Sequence, residues 1–489
     1  MENDNSIDKL FAIKPFVSEW DPLFPNGFEE EIRPIEEKDN LFANVRYLIA
    51  YRNEHSNQWT GKISFLKDDS SDCKYLEEIE EMHIPNPEDL FGCHFFLHNF
   101  WGPDLMVRFD LNHKSIRNNQ NMLDASIYNV SFIAHYSHLD KKKTTSILQE
   151  YYLNAFDGFP TNKERTVQIR TYKSVSTGDR PDLSLGDGTL CEEPYYTLRC
   201  LVLEYNQCTI SIFSPPSEHC GRKEDALTIE YTGKIPSADN RKKIVTFLSF
   251  VFGKKLLICG ESEMDSERRP ITVKSYSPDN YELYSKIEPK PPFHLDRKFS
   301  YNKLNRALNE FMKTPLLDCW ESIFDRYWES LSQHNLMGAL MIQVIFETIR
   351  NSYFELPDST NEVCNLKSYR ALIKNEIKTI EEKLSNYPDK EYILNNIRNA
   401  PSKSSNRKTT EFVNKYDINV NDERKDAIKK CNAVRHGSTP DMDPYEMFNI
   451  YWSYINEVLC KILNFDVTII DYNSSESNWN NYYDYNDIE

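Results

Sequence analysis

The hydrophobic pattern of this 489-residue chain changes period once, and that change constrains its fold class more than anything else in it. From about residue 44 to residue 276, short β-branched and aromatic runs alternate with turn-rich stretches, the clearest being 45–51, 105–109, 166–170, 197–204 and 209–213. Pro289, Pro291 and Pro292 then interrupt the chain, and beyond Arg297 apolar residues recur with the 3.6-residue period of helices that bury one face. The expectation is an α+β multidomain protein, with a β-rich, sandwich- or barrel-like N-terminal region followed by an all-α bundle.

The domain boundaries follow from the same pattern. Residues 1–290 form the β-rich part. Within it, segment 240–252 reads as a helix and 255–259 as a strand, which either close the β part or open a second small subdomain after a break near residue 235. Residues 291–472 form the helical part, with helices expected over 301–312, 317–333, 336–354, 368–385, 391–399, 422–436 and 444–464. In the last of these, Phe448, Tyr451, Trp452, Ile455, Val458, Leu459 and Ile462 form one stripe, with Asp443 as N-cap and Pro444 in the first turn. Such a stripe is core in most bundles, and some bundles also dimerise through one. Segment 401–408 is basic and Ser-rich, and reads as a solvated, mobile linker rather than an RNA contact. The Asn-, Tyr-, Ser- and Asp-rich residues 473–489 read as a disordered acidic tail.

Charge and cysteine usage narrow the function. A formal net charge of −18 argues against a protein that coats nucleic acid non-specifically, so any such contact must be local. Eleven cysteines without a C-x-x-C pair, and an N-terminus without a basic and apolar signal pattern, point to a reducing cytoplasm. Apolar runs such as 244–253 are too short to span a bilayer, so no membrane association is expected.

Metal and cofactor sites are not indicated. Cys93, His94 and His98 with His135 and His138 offer zinc-ligand chemistry, but on a strand His94 and His98 would face away from Cys93. Cys191, Cys200, Cys208 and Cys220 with His219 lack the close pairing of a zinc knuckle and read as ordinary strand and loop residues. No phosphate-binding G-x-x-x-x-G-K-[ST] loop is present, and Gly186-Asp187-Gly188 lacks the helix that a dinucleotide site needs.

The densest chemistry lies in Lys429-Lys430-Cys431-Asn432-Ala433-Val434-Arg435-His436-Gly437. On a helix, Lys429, Asn432 and His436 share a stripe, and Gly437 is the residue type that ends a helix in the left-handed conformation. Cations at a helix C-terminus are also ordinary, so the same residues suit a plain helix end. The run resembles the signature of the HEPN superfamily: an Arg, usually followed by Asn, then a His four to six residues beyond the Arg, often with Gly next. Cys431 stands where that Arg is expected, leaving Lys429 on the His436 stripe or Arg435, one turn past Cys431, to supply the charge.

The order of features also resembles ApeA-type proteins, which end in an ApeA-like HEPN domain. A β-rich start, Leu248-Ser249-Phe250-Val251-Phe252-Gly253, a helix carrying Phe346-Glu347-Thr348-Ile349-Arg350, and the late basic-to-His motif follow in sequence. The resemblance implies a metal-independent endoribonuclease of bacterial anti-phage defence, acting by abortive infection on RNA, tRNA being one candidate, within a homodimer and under a phage-derived trigger. It implies His436 as general acid or base, Asn432 as the orienting amide, and Lys429 or Arg435 as the cation that stabilises the reacting phosphate; if either cation fills that role, Cys431→Arg is expected to leave activity equal or higher. Glu347, Lys430 and Cys431 would support them. Glu347 and Arg350 are also spaced for an intrahelical ion pair. The alternative is a catalytically degenerate HEPN domain that serves in dimerisation or partner binding.

Overall fold

The computed structural model describes residues 28–31, 45–53, 57–66, 93–97, 104–119, 122–135, 144–155, 161, 163–172, 190–214, 226–266, 270–294, 300–439 and 441–474. The expected acidic tail beyond residue 474, and His98, His138, Gly186, Asp187, Gly188, His219 and Cys220, lie outside them. The chain divides into two units, residues 1–290 with 295–301, and residues 291–294 with 302–489. The first is antiparallel sheet and the second helical, which makes the protein α+β.

The strands are β1 (Phe28–Glu31), β2 (Val45–Arg52), β3 (Trp59–Leu66), β4 (Cys93–Leu97), β5 (Asp104–Asn119), β6 (Met122–His135) and β7 (Ile147–Leu153). They continue with β8 (Lys163–Tyr172), β9 (Leu190–Tyr205), β10 (Cys208–Phe213), β11 (Leu227–Gly233), β12 (Leu257–Met264) and β13 (Pro270–Ser275). Hydrogen bonding runs β1-β2-β3-β6-β13-β12-β7-β11-β10-β9-β8, with β5 also on β6 and β4 on β5. Strand β6 is the branch point. One edge pairs with β3 up to Tyr128 and with β13 from Phe132, while the other carries β5. Between the two partners stands Asn129 at φ 51°, and opposite it the β5 register shifts between Arg108 and Asp110. A left-handed residue facing a bulge bends the strand where its partner changes.

Strands β12 and β13 fall between β6 and β7, so the chain crosses residue 235 without leaving the sheet. The intervening helix α1 (Ala238–Phe252) starts at Ser237, which accepts from the Asn240 N–H, and stops at Gly253 with φ 66°. Beside its first turn lies a buried charge cluster. The Glu150 carboxylate, 3% exposed, accepts from Tyr152 Oη at 2.7 Å, Tyr231 Oη at 3.1 Å and Arg241 Nε at 2.6 Å. Arg241 also lies 3.6 Å from Glu261, which pairs with Lys274. Burial first, and then the Glu150 charge, holds both tyrosine hydroxyls well above their usual range.

After the short helix α2 (Tyr281–Tyr284) come α3 (Tyr301–Lys313), α4 (Trp320–Gln333), α5 (Leu336–Glu355), α6 (Leu366–Leu372) and α7 (Lys374–Lys383). The chain ends with α8 (Lys390–Arg398), α9 (Ser405–Lys415), α10 (Asp422–Arg435) and α11 (Pro444–Ile462). Helix α11 buries most of its side chains, including the whole stripe read from sequence, and Asp443 caps it by accepting from the Glu446 N–H. Helix α5 packs against α4, α9, α10 and α11. Its start comes so close to α11 that a Cβ at Gly338 would stand 2.8 Å from the Phe448 ring and 2.6 Å from the Ser330 carbonyl oxygen. Among the described residues, no helix is long and apolar enough to cross a membrane.

Three expectations are corrected. The helix expected over 368–385 breaks at Ile373 into α6 and α7, and the one expected from 317 starts at Trp320 after a 3-10 turn over Pro315–Leu317. The expected linker 401–408 is instead pinned and enters a helix. Val363 N donates to Pro401 O, Lys403 N donates to Asn361 O, and Ser404 Oγ caps α9 by accepting from the Arg407 N–H.

The Glu150 cluster yields a stability prediction. Glu150→Ala removes the acceptor of a buried guanidinium and two phenols, and should cost about 3–5 kcal/mol of unfolding free energy. Urea denaturation of the purified variant measures it, and a loss below about 1 kcal/mol would show that the cluster is solvated.

Candidate functional site

The motif helix α10 is set by its ends. Asn421 accepts from the Arg424 N–H, Asp422 and Glu423 occupy the first turn, and Arg435 the last, each charge complementing the helix dipole. At the other end Gly437 takes φ 86°, its N–H bonds Val434 O, and Ser438 N–H bonds Ala433 O. This is the double bond of a Schellman closure, so Gly437 ends the helix as its sequence position suggested. His436 is the capping residue, solvent-exposed, with no hydrogen-bond partner for its ring among the described residues.

The inner side of α10 faces α5. Cys431 is fully buried, and its Sγ donates to Gln343 Oε1 at 3.2 Å. The same Gln343 amide donates through Nε2 to Asn432 Oδ1 at 2.5 Å. With its oxygen so engaged, the exposed Asn432 has its Nδ2 donor left for solvent or ligand. One turn along α5, Glu347 Oε1 accepts from Arg435 Nη1 at 2.7 Å. Two polar residues of α5 thus hold three α10 residues of the motif, Cys431, Asn432 and Arg435.

Successive residues are rotated by about 100° about a helix, so Arg435, Asn432, His436 and Lys429 follow one another round α10, away from buried Cys431. Lys429 is exposed and has no side-chain partner among the described residues. Lys430 instead pairs along its own helix with Asp426 at 2.7 Å, and that bond favours its charged form. Glu347 does not form the intrahelical pair its spacing to Arg350 allowed. It reaches α10, while Arg350 donates to Ser405 Oγ and Thr409 Oγ1 of α9.

Cys431 cannot act from its position. Burial, the dominant cause, pushes its thiol up, against smaller opposing effects of Tyr451 and Arg435, so it is neither a thiolate nor exposed to a substrate. Arginine at this position would have to displace the α5–α10 packing around the buried Cys431.

Gln343 is the residue that sequence reasoning missed. Its one signal is a lone amide in the apolar run Leu336 to Phe346, one turn before Glu347. Of the zinc candidates, Cys200 and Cys208 are buried on β9 and β10, where burial pushes the Cys208 thiol up to about 11. Cys93 and His94 are adjacent on β4, Cys191 lies on β9 and His135 ends β6. Among the described residues, no three His, Cys, Asp or Glu side chains gather as metal ligands.

The Schellman closure carries its own test. Nothing lies within 4 Å of a Cβ built at Gly437, so Gly437→Ala should cost only the left-handed strain of about 1–2 kcal/mol, and Gly437→Asn less. Equal stability of Gly437 and Gly437→Ala protein in urea would show that α10 does not end this way.

No family model, curated protein or solved structure matches this chain.

Proposed function

We propose that the helical unit is a metal-independent endoribonuclease of the HEPN type, acting in the cytoplasm in abortive-infection defence against phage. The observation that carries this reading is the exposed last turn of α10, which presents the His436 imidazole, the free Asn432 amide donor and the Arg435 guanidinium together, two of them braced by α5. These are the group types needed for cleavage by an internal nucleophile. The RNA 2′-oxygen attacks its neighbouring phosphorus, the bond to the 5′-oxygen breaks, and a cyclic phosphate remains. One imidazole takes the 2′ proton and another protonates the departing oxygen. Asn432 and Arg435 stabilise the charge gathered on the phosphoryl oxygens, and Lys429 adds to the field from the outer side.

A reaction that needs an acid and a base at once suits a homodimer, in which His436 of the partner subunit supplies the second imidazole. Helix α5 has a face for such pairing. Met337, Leu340, Met341 and Val344 follow the i, i+3, i+4, i+7 spacing, with Met337 53% and Val344 40% exposed. The β-rich unit is read as the sensor of a phage-derived trigger or as a module that positions substrate. The net charge of −18 keeps bulk RNA, tRNA included, at a distance from the resting protein.

One observation favours a second reading. Where the resembled motif has its arginine, Cys431 is inside the helical unit, and the remaining guanidinium nearby, Arg435, is already paired. A degenerate domain used for dimerisation or partner binding would show both features.

Purified protein incubated with tRNA and with total RNA separates the two. The enzyme reading expects fragments ending in cyclic phosphate, abolished by His436→Ala at unchanged thermal stability because that ring is exposed. Arg435→Ala should lower the rate by roughly a hundredfold or more, and Cys431→Arg should lower stability by about 1–3 kcal/mol through overpacking. A dimer that cleaves neither RNA establishes the binding-module reading.

A further inference from the structure

The ridge of α5 that holds Gln343 and Glu347 continues to Arg350, which makes no ion pair among the described residues. The residue is 7% exposed, and among the described residues no carboxylate lies within ion-pairing distance of it. Its Nη1 donates to Ser405 Oγ at 3.1 Å and Thr409 Oγ1 at 2.8 Å, its Nη2 to Asn351 Oδ1 at 3.3 Å, and its Nε–H has no acceptor. Burial lowers its pKa, against a smaller opposing effect of the Glu347 charge one turn back on α5.

Both hydroxyls belong to the start of α9, and that start is electrostatically frustrated. Its first turn has no acidic residue, yet Lys403 precedes it and Arg407 and Lys408 lie within it. Cations at the positive end of a helix dipole are unfavourable. Glu411 offsets Lys403 and Arg407, the latter at 3.1 Å, whereas Lys408 has only the Phe354 ring, 5.6 Å from its ammonium. Of the four cations here, counting Arg350, ion pairs among the described residues reach only Lys403 and Arg407, in a chain of net charge −18. The Ser404 hydroxyl caps the Arg407 N–H, leaving the Ser405 and Asn406 N–H groups at the mouth of the helix. The exposed Ser405 hydroxyl lies between that mouth and the buried Arg350.

We propose that the first turn of α9, with Arg350 beneath it, is a phosphate subsite that holds the RNA backbone while a neighbouring phosphate lies at Arg435. The anion supplies the direct counter-charge that Lys408 and the helix start lack and adds to that felt by Arg350, accepting from the Ser405 and Asn406 N–H groups and from the Lys408 ammonium. The placement suits one strand. Glu347, which holds Arg435, and Arg350 are three residues apart on α5, about 4.5 Å along its axis. Identifying the anion as RNA rests on the ribonuclease reading, whereas the subsite itself rests on the α5–α9 geometry.

The test measures binding apart from cleavage, by fluorescence anisotropy of a short fluorescein-labelled single-stranded RNA with the full chain carrying His436→Ala. Adding Ser405→Asp places a carboxylate at the helix start. It should raise the melting temperature by satisfying Arg350, weaken RNA binding roughly tenfold or more, and reduce the salt slope by about 0.7, the value for one lost single-strand phosphate contact. Lys408→Ala, which adds no negative charge, should weaken binding in the same direction, and it decides the matter should Ser405→Asp lower the melting temperature. Unchanged affinity and slope in both variants, or no RNA binding by the parent, overturns the subsite. RNA binding that falls in both variants of a protein whose native sequence never cleaves RNA keeps the subsite and removes the enzyme reading. Cleavage with unaffected binding does the reverse.

Discussion

Three polar side chains on one ridge of α5 decide where two other helices lie. Gln343 meets Cys431 and Asn432, Glu347 meets Arg435, and Arg350 meets Ser405 and Thr409. A buried amide or guanidinium loses its hydration on folding, and only a partner of matching geometry restores the loss. Apolar packing alone would tolerate sliding of α10 along α5 by a turn, because one aliphatic contact replaces another at little cost. Polar contacts do not slide. The ridge therefore fixes the register of α10, and with it which of its residues face outward.

The β unit uses the same logic at two places. Arg52, 1% exposed, donates to Asn57 O, Cys259 O and Ser275 Oγ, and lies 4.9 Å from the Trp59 ring centroid. It thereby ties β2 to β12 and β13, strands separated from it in sequence by the whole of the intervening sheet. Glu150 does the corresponding work between β7, β11 and α1. Both are charges that are costly alone and stable only when every element bearing a partner is in place, which links the formation of distant strands to one another.

What the sequence revealed, and what it hid, follows from where burial lies. Helix α3 was legible because it buries one face, Leu304, Ala307, Leu308 and Phe311, at helical spacing, and α10 and α11 because their ends carry cap residues, Gly437 and Asp443-Pro444. Strands β7 and β11 were not, since β11 is buried along most of its length and β7 shows no strict alternation, while Glu150 and Glu230 interrupt their apolar runs. Helix α9 was misread as a linker because its first turn is Ser, Asn, Arg and Lys, and its anchors, Asn361, Val363 and Arg350, are distant in sequence. At the motif, Gly437 and the exposed His436 were legible because they depend on local backbone chemistry. The inward turn of Cys431, the link from Glu347 to Arg435, and the part played by Gln343 depend on α5, which no spacing within α10 encodes.

The pairing of Arg435 with Glu347 also bears on how an acidic protein manages a phosphate. At physiological ionic strength, charges beyond about 8 Å are largely screened, so the net charge of the chain governs approach while the nearest groups govern contact. At 2.7 Å, the Glu347 carboxylate keeps Arg435 extended toward one position and cancels much of its field at longer range. On the proposed ribonuclease reading, an arriving phosphate would exchange with a carboxylate for a guanidinium already held in place. Little side-chain entropy is then lost on contact, since the arginine was ordered beforehand. Without a ligand, Arg435 and Glu347 present a neutral pair. The same carboxylate thus orders the cation and masks it.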